Sequence, residues 1–356
     1  MTSPRPFLAI ARVETLRLLR SPSSLTLLLL VPVLQLLLFG SAIRPEGAVL
    51  PVAVAGPDPT GYVVAALRRE PGLLVVETSP SPGRAEAAVR AGRAALGIDL
   101  PRGRGPVHAT IDGTEPALTS GADAHLRAVY GQLLADRFGA ADLGPGLAVD
   151  QLYNPDGRAA WGFLPALVGV VMMIAMTMLG TLSLAREREI GTWEALIALR
   201  PGPAVLLAGK IAPYVVIGTM QGIAVLALSI LLFDLPATGN IAALIALMPP
   251  FAAAHLVLGH ALAARAKTQL SALQGAIAFY LPAMLLSGFL YPFATLPDWA
   301  RAIGEVFPLT HFIRAARSAT LHRGSAAEVL AHGLPISLFL AVAFLLARAF
   351  HRPVLD

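Results

Sequence analysis

The chain has 356 residues, 56% hydrophobic and only 14% charged, with a mean hydropathy of +0.68 and a net charge of +5. So apolar a composition excludes an ordinary soluble domain and predicts an integral membrane protein. With no cysteine, nothing in the chain can rest on a disulfide.

Residues 1–22 open with an amphipathic stretch, Phe7 to Leu19, that carries Arg12 and Arg17 and is flanked by Arg5 and Arg20. Such a stretch is expected to lie along the cytoplasmic leaflet as an elbow helix, with its arginines near anionic headgroups. The apolar run 23–43 follows. It is longer than the roughly 7–15 residues of a signal-sequence core and reads as a retained first span.

From residue 44 to 160 the character changes. This interval holds 11 Lys and Arg against 13 Asp and Glu, so the excess positive charge belongs to the membrane-facing parts. The basic balance therefore reflects topology and argues against nucleic acid as a partner. LPVAVA (50–55), LLVVET (73–78), AALGIDL (94–100) and VHATIDG (107–113) read as strands. Stretches 60–70 and 82–92 read as helices between them, and 116–138 as a long amphipathic helix. Alternation of strand and helix predicts right-handed crossovers and a partly parallel sheet.

Five further stretches can each supply the roughly 20 apolar residues of a membrane span: 161–185, 205–232, 240–264, 270–289 and 329–350. Their apolar cores (213–232 in the third span and 329–347 in the sixth) contain no Asp, Glu, Lys or Arg. Met248-Pro249-Pro250 in the fourth removes two backbone donors and predicts a kink or break. His332 and Pro335 interrupt the sixth. The fold class expected is thus an α-helical polytopic membrane protein of six transmembrane helices with an inserted extracytoplasmic α/β domain. Arg and Lys at the span ends place both termini in the cytoplasm. Arg301, Arg314, Arg317 and Arg323, in the loop 290–328, oppose that orientation, partly offset by Asp298, Glu305 and Glu328.

The most informative segment is REREIGTWEALIALRP (186–201), within the polar connection 186–204 between the second and third spans. Ile190, Trp193 and Ile197 recur at spacings of three and four, so a helix here carries one apolar stripe. A simple turn needs no such helix, whereas a segment pressed against a soluble partner does. An interfacial helix on lipid headgroups is the competing reading.

Enzymatic constellations are missing from the sequence. Gly209-Lys210 is followed by Ile211, and Ala204 stands where a phosphate-binding loop needs its first glycine. His255 and His260, five residues apart, lie about 140° apart around a helix and suit packing or interhelical hydrogen bonding better than joint metal binding. No span core offers a carboxylate to hold a coupling ion, so the energy for any transport is expected from outside the bilayer.

Four strings carry a resemblance to a known family. RVETLRLLRSPSSLTLLLLVPVLQLLLFG (12–40) resembles an elbow helix running into span one, and LYNPDGRAAWGFLPALVG (152–169) the approach to span two. REREIGTWEALIALRP is similar to a coupling segment, and LLSGFLYPFATLPDWARAIGEVFPLTHFIRAARSATLHRG (285–324) to an outer loop with spaced prolines. The chain thereby resembles the membrane subunits of ATP-binding cassette (ABC) exporters of the type-2 permease family, in the bacterial branch with a large ectodomain after span one. The resemblance implies that residues 290–328 form short re-entrant helices at the outer leaflet, where the arginines reach headgroups and water. It implies no catalytic site, metal or cofactor on this chain, ATP and magnesium being held by a separate cytoplasmic ATPase, and a path formed by two permease subunits. Ile190, Trp193, Leu196 and Ile197 would seat in the ATPase. Arg186, Glu187, Arg188 and Glu189 would make polar contacts around them, with Gly191 and Glu194 in the same segment. Met172, Met173, Met176 and Met178 in span two either line an exit path for a lipophilic substrate or simply pack. Gly218 and Gly222 in span three permit close helix approach. An ion-driven carrier and a non-transporting receptor or assembly factor are the alternative functions, and a neighbouring ATPase gene would separate them from an ABC permease. A periplasmic adaptor is a further conceivable partner.

Overall fold

The structure, a computed structural model, describes residues 5–42, 49–58, 61–70, 72–102, 105–114, 127, 130–131, 146–156, 158–191, 203–264, 266 and 268–350. The elements in chain order are α1 (Arg5–Leu19), α2 (Pro22–Leu25), a π-helical turn (Thr26–Leu30), α3 (Val31–Ala42), β1 (Leu50–Ala55), α4 (Tyr62–Leu67), β2 (Leu73–Ser79), α5 (Arg84–Arg90), β3 (Leu96–Asp99), β4 (Val107–Asp112) and β5 (Leu147–Leu152). There follow α6 (Ala159–Ile190), α7 (Pro203–Phe233), α8 (Ile241–Ala263), α9 (Gln269–Leu286), a 3-10 turn (Phe293–Thr295), α10 (Asp298–Gly304), α11 (Pro308–Thr320), α12 (Ala326–Ala331) and α13 (Gly333–Phe350). Two compact units result. One comprises residues 1–39, 164–287 and 302–356, and the other residues 40–163 and 288–301.

In the first unit, five helical segments are long and apolar enough to cross a membrane: Ala160–Glu187, Ala208–Phe233, Ile241–Ala263, Gln269–Leu286 and Ala326–Ala349. The first expected span is helical from 22 to 42 but is interrupted at Thr26–Leu30, where the Val31 N–H closes on the Thr26 carbonyl. Pro32 lacks the donor that regular winding would send to Leu28, and a wider turn just before it absorbs the mismatch. Among the described residues this first expected span thus stands apart from the other five in regularity.

The unit's core is a crossing of α6 and α8 through facing glycines. A Cβ on Gly180 would come 2.3 Å from the Leu256 carbonyl oxygen, and one on Gly259 would come 2.5 Å from that of Thr177. Backbones can approach this closely only where neither residue has a side chain. Next to them Phe251, His255, Phe279, Phe312 and Phe339 form a cluster in which Phe251 lies 4.3 Å from Phe312 and 4.4 Å from His255, centroid to centroid. Of the kink or break predicted at Pro249-Pro250, the break does not occur: α8 runs through both prolines. Met248, Phe251 and Ala252 beside them are fully buried, and packed neighbours hold a helix that lacks two internal donors. Asn240 starts that helix by accepting the Ala243 N–H at 2.8 Å.

In the segment 290–328 the sequence places short helices, and α10 and α11 are such helices. Two of the arginines there pair with acidic residues that the sequence sets against them. Arg314 is bound bidentately to Glu305 at 2.7 and 2.9 Å, and Arg301 to Asp298, so both cations are matched within the protein. The turn after α10 brings Glu305 back over α11, where His311 also approaches the Glu305 carbonyl at 2.8 Å. Burial alone would raise the Glu305 carboxyl, but the guanidinium holds it below the usual carboxylate range.

The second unit is a five-stranded sheet in the order β2-β1-β3-β4-β5. β1 is parallel to β2 and β3, β3 and β4 are antiparallel, and β4 and β5 are parallel. The four predicted strands and the two short helices are present; β5 had no sequence signal above its polar surroundings. A parallel β4–β5 pair requires a crossover. The predicted helix 116–138 lies in that crossover and, except for Arg127, Tyr130 and Gly131, outside the described residues. Tyr130 packs on the core of Val52, Val54, Ile98, Ala109 and Ile111. The opposite face of β1 carries Ala53 and Ala55 against Ala85, Ala88 and Val89 of α5. Small side chains there, with Gly97 under the Ala85 backbone, let α5 lie close to the sheet. Asp99 caps α5 by accepting from the Gly83 and Glu86 amides at 2.6 and 3.0 Å. Gly56, at φ +105°, leaves 2.3 Å between a would-be Cβ and the Leu100 carbonyl oxygen, so only glycine serves at this turn. Fully buried Asn154 donates to the Gly113 and Arg158 carbonyls and accepts from the Arg158 amide, joining the sheet's end to the start of α6.

Candidate functional site

The end of the helical unit where α6 stops and α7 begins concentrates its buried charge. Glu14 and Arg17 lie three apart on α1, hence on one face. Lys210 and Tyr214 lie four apart on α7, and Glu187 is in the last turn of α6. Lys210 Nζ reaches Glu14 at 2.8 Å and Glu187 at 2.6 Å. Arg17 reaches Glu187 at 2.5 Å and Glu14 at 3.5 Å. The Tyr214 hydroxyl donates to Glu14 at 3.2 Å. Glu14, Glu187 and Lys210 are at most 3% exposed. Each carboxylate meets two cationic groups, which is what lets charge remain buried without an uncompensated ion.

Packing brings these residues together. A Cβ on Gly209 would press on Ile10 and the Phe7 carbonyl at 3.0–3.2 Å, so this glycine lets α1 seat on α7 one residue from Lys210. Beyond Glu187, the Glu189 carboxylate accepts from both the backbone amide and the Nε2 of Gln269, each at 2.6 Å. These donors at the start of α9 hold the Glu189 carboxyl below its ordinary range. One short stretch of α6 is thereby tied to α1, α7 and α9.

The residues singled out in the sequence fall into distinct places. Glu187 points inward to Lys210 and Arg17, and Glu189 is engaged by Gln269. Arg186 is exposed, Ile190 is 61% exposed, and Gly191 follows it with φ 74°. That left-handed conformation ends α6, as glycine commonly does. Arg188 belongs to α6. Trp193, Glu194, Leu196 and Ile197 lie outside the described residues, as do Arg265 and Lys267. Met172, Met173 and Met176 are fully buried and Met178 partly so. Gly222 and Gly218 form notches in α7 for Met172 and Met176, where a Cβ would meet either sulfur at 2.4 Å. His255 Nδ1 contacts the Phe251 carbonyl at 2.9 Å. His260 Nδ1 contacts that of Leu256 at 2.9 Å, and its Nε2 bridges to Ser183 on α6 at 3.3 Å. The pair thus serves packing and one interhelical hydrogen bond.

Glu14, Lys210 and Tyr214 were missed by pattern. Two signals were present: Glu14 is the sole acidic residue among the first 45, and Lys210 is one of two lysines in a chain otherwise basic through arginine. Neither tells which partner is met, because Glu14 and Lys210, 196 positions apart, meet only through the packing of α1 on α7.

The sequence has relatives over most of its length. It is 25% identical over 360 residues to the "Probable multidrug ABC transporter permease YbhS" of Escherichia coli K12, covering 96% of this chain and 93% of that one. It is 30% identical over 166 residues to "Probable multidrug ABC transporter permease YbhR" of the same organism, covering 47% and 45%. Against the "Inner membrane transport permease YhhJ", also of that strain, identity is 29% over 192 residues, covering 50% and 48%. Apolar helices and such relatives make this a multi-pass membrane transport protein. Residues 22–349 match the family described as "ABC-2 family transporter protein", and to that family the chain belongs.

Proposed function

We propose that this chain is the permease subunit of an ATP-driven exporter, working as a pair of permeases with separate cytoplasmic ATPase subunits. The family match across 22–349 carries the reading. The buried ion-pair cluster supports it mechanically. A push delivered to residues 191–202 would pass into α6 through Glu187 and be shared with α1 and α7 through Lys210 and Arg17, moving them as one body. In this reading both termini and the segment 186–204 are cytoplasmic, residues 22–42 supply a sixth span, and the α/β unit is extracytoplasmic. The multidrug names of the relatives point to lipophilic cargo, and the methionines seated in the α7 notches act as packing that can shift with the helices.

The test is affinity purification of the chain from its native membrane with identification of bound P-loop ATPases. Trp193→Glu and Ile197→Glu are expected to lose the ATPase while the permease stays monodisperse. Full retention of the ATPase by both variants would overturn the docking segment.

A further inference from the structure

A cavity of about 720 Å³ lies between α1, α2, the last turns of α6, Tyr214 of α7 and the start of α9. Its size suits the head of a lipid and the first part of its chains. Four acidic or basic groups in and beside it cancel in pairs: Glu14 and Glu187 in the wall are held by Lys210 and Arg17. Arg20 and Arg186 also line it and have no acidic partner among the described residues. The same wall carries Leu16, Leu18, Leu179 and Leu182. Two uncancelled guanidinium groups beside a leucine surface favour one chemistry, a phosphate-bearing head attached to an acyl chain. Guanidinium matches phosphate in charge and in forked geometry, and leucines take hydrocarbon from water. A cationic compound would meet like charge, and free phosphate would leave the leucines unused.

We propose that this cavity is a binding site for an anionic phospholipid of the inner leaflet, held by Arg20 and Arg186 and resident there rather than transported. The inference rests on the reading above only in placing α1 at the inner membrane surface. Lipid occupancy would wedge α1 against α6 beside the ion-pair cluster, making the bilayer's anionic content part of what positions the elbow.

The experiment uses the full chain alone, purified and exchanged into nanodiscs holding phosphatidylglycerol and phosphatidylcholine in equal amounts, with retained lipid read by native mass spectrometry. Phosphatidylglycerol is expected to be retained in preference. The double variant Arg20→Ala/Arg186→Ala is expected to lose that preference by about 30-fold, two surface cations contributing about fivefold each, while Arg20→Lys/Arg186→Lys keeps most of it. Should the double variant prove misfolded, the single variants Arg20→Gln and Arg186→Gln, each expected to lose about fivefold, decide the matter. Equal retention of the two lipids, or no change in the variants, overturns the site. A second arm adds the partner ATPase in proteoliposomes containing tail-labelled phosphatidylglycerol. No ATP-dependent movement is expected, and movement to the far leaflet would overturn residence and make the lipid cargo. Retention is measured without ATPase, so failure of the exporter reading leaves it readable.

Discussion

At the residue scale the decisive group is Lys210. It is buried between Glu14 and Glu187, and its removal leaves two carboxylates with only the half-exposed Arg17 and the Tyr214 hydroxyl. Lys210→Met is expected to destabilise the helical unit by about 3–5 kcal/mol, as losing one partner of a buried pair does. Thermal unfolding in detergent measures this. Adding Glu14→Gln and Glu187→Gln should recover part of the loss, since the uncompensated charge is then gone. Glu189 makes a pH-dependent tie. Its folded carboxyl titrates below the ordinary value of 4.5, so its contribution is present above that value and lost as pH falls through the lowered one. Hydrogen exchange at the Gln269 amide should show protection at neutral pH that fades in acid. In Glu189→Gln that acid dependence should vanish. None of these pairings was legible in the sequence. Charge identity is local, but Glu14 and Lys210 are 196 positions apart, and only packing of α1 on α7 brings them within 2.8 Å.

At the element scale the helices were read from hydrophobic runs because lipid demands apolar residues all around a span. Their ends were not, since the helices continue past the apolar region into charged turns: α6 runs to Ile190 and α7 starts at Pro203. A kink or break was expected at Pro249-Pro250 from donor loss, and the surrounding buried side chains hold α8 continuous. The glycines make a further point, for Gly180 and Gly259 carry no local pattern that singles them out and are the contact surface of two helices. Gly180→Leu or Gly259→Leu is expected to force α6 and α8 apart and abolish the monodisperse protein on size exclusion. Conversely, Met172→Leu should keep the fold, because a side chain of similar volume fills the Gly222 notch.

At the scale of the whole molecule the absence of cysteine permits a clean topology test, because any introduced thiol is unique. In intact cells Asp58→Cys is expected to react with an impermeant maleimide, and Ile190→Cys only after the membrane is opened. The reverse pattern would invert the proposed orientation and disconnect α6 from a cytoplasmic ATPase. Sequence by itself determined that the chain is a membrane protein of the type-2 permease kind, with an α/β insert whose β1–β4 and first helices follow from alternation and turn residues. The apolar spans and the elements of the insert depend on composition and on periodicities of two and 3.6, which are properties of neighbouring residues, whereas the permease kind rests on the resemblance of four strings to a known family. Tertiary structure alone decided the parallel pairing of β4 with β5, the glycine-to-carbonyl crossing of α6 and α8, and the partners of Glu14, Arg17, Glu187 and Lys210. Those meetings join separate elements of the fold, and they are fixed by how close two backbones can come and by the cost of leaving a buried charge alone.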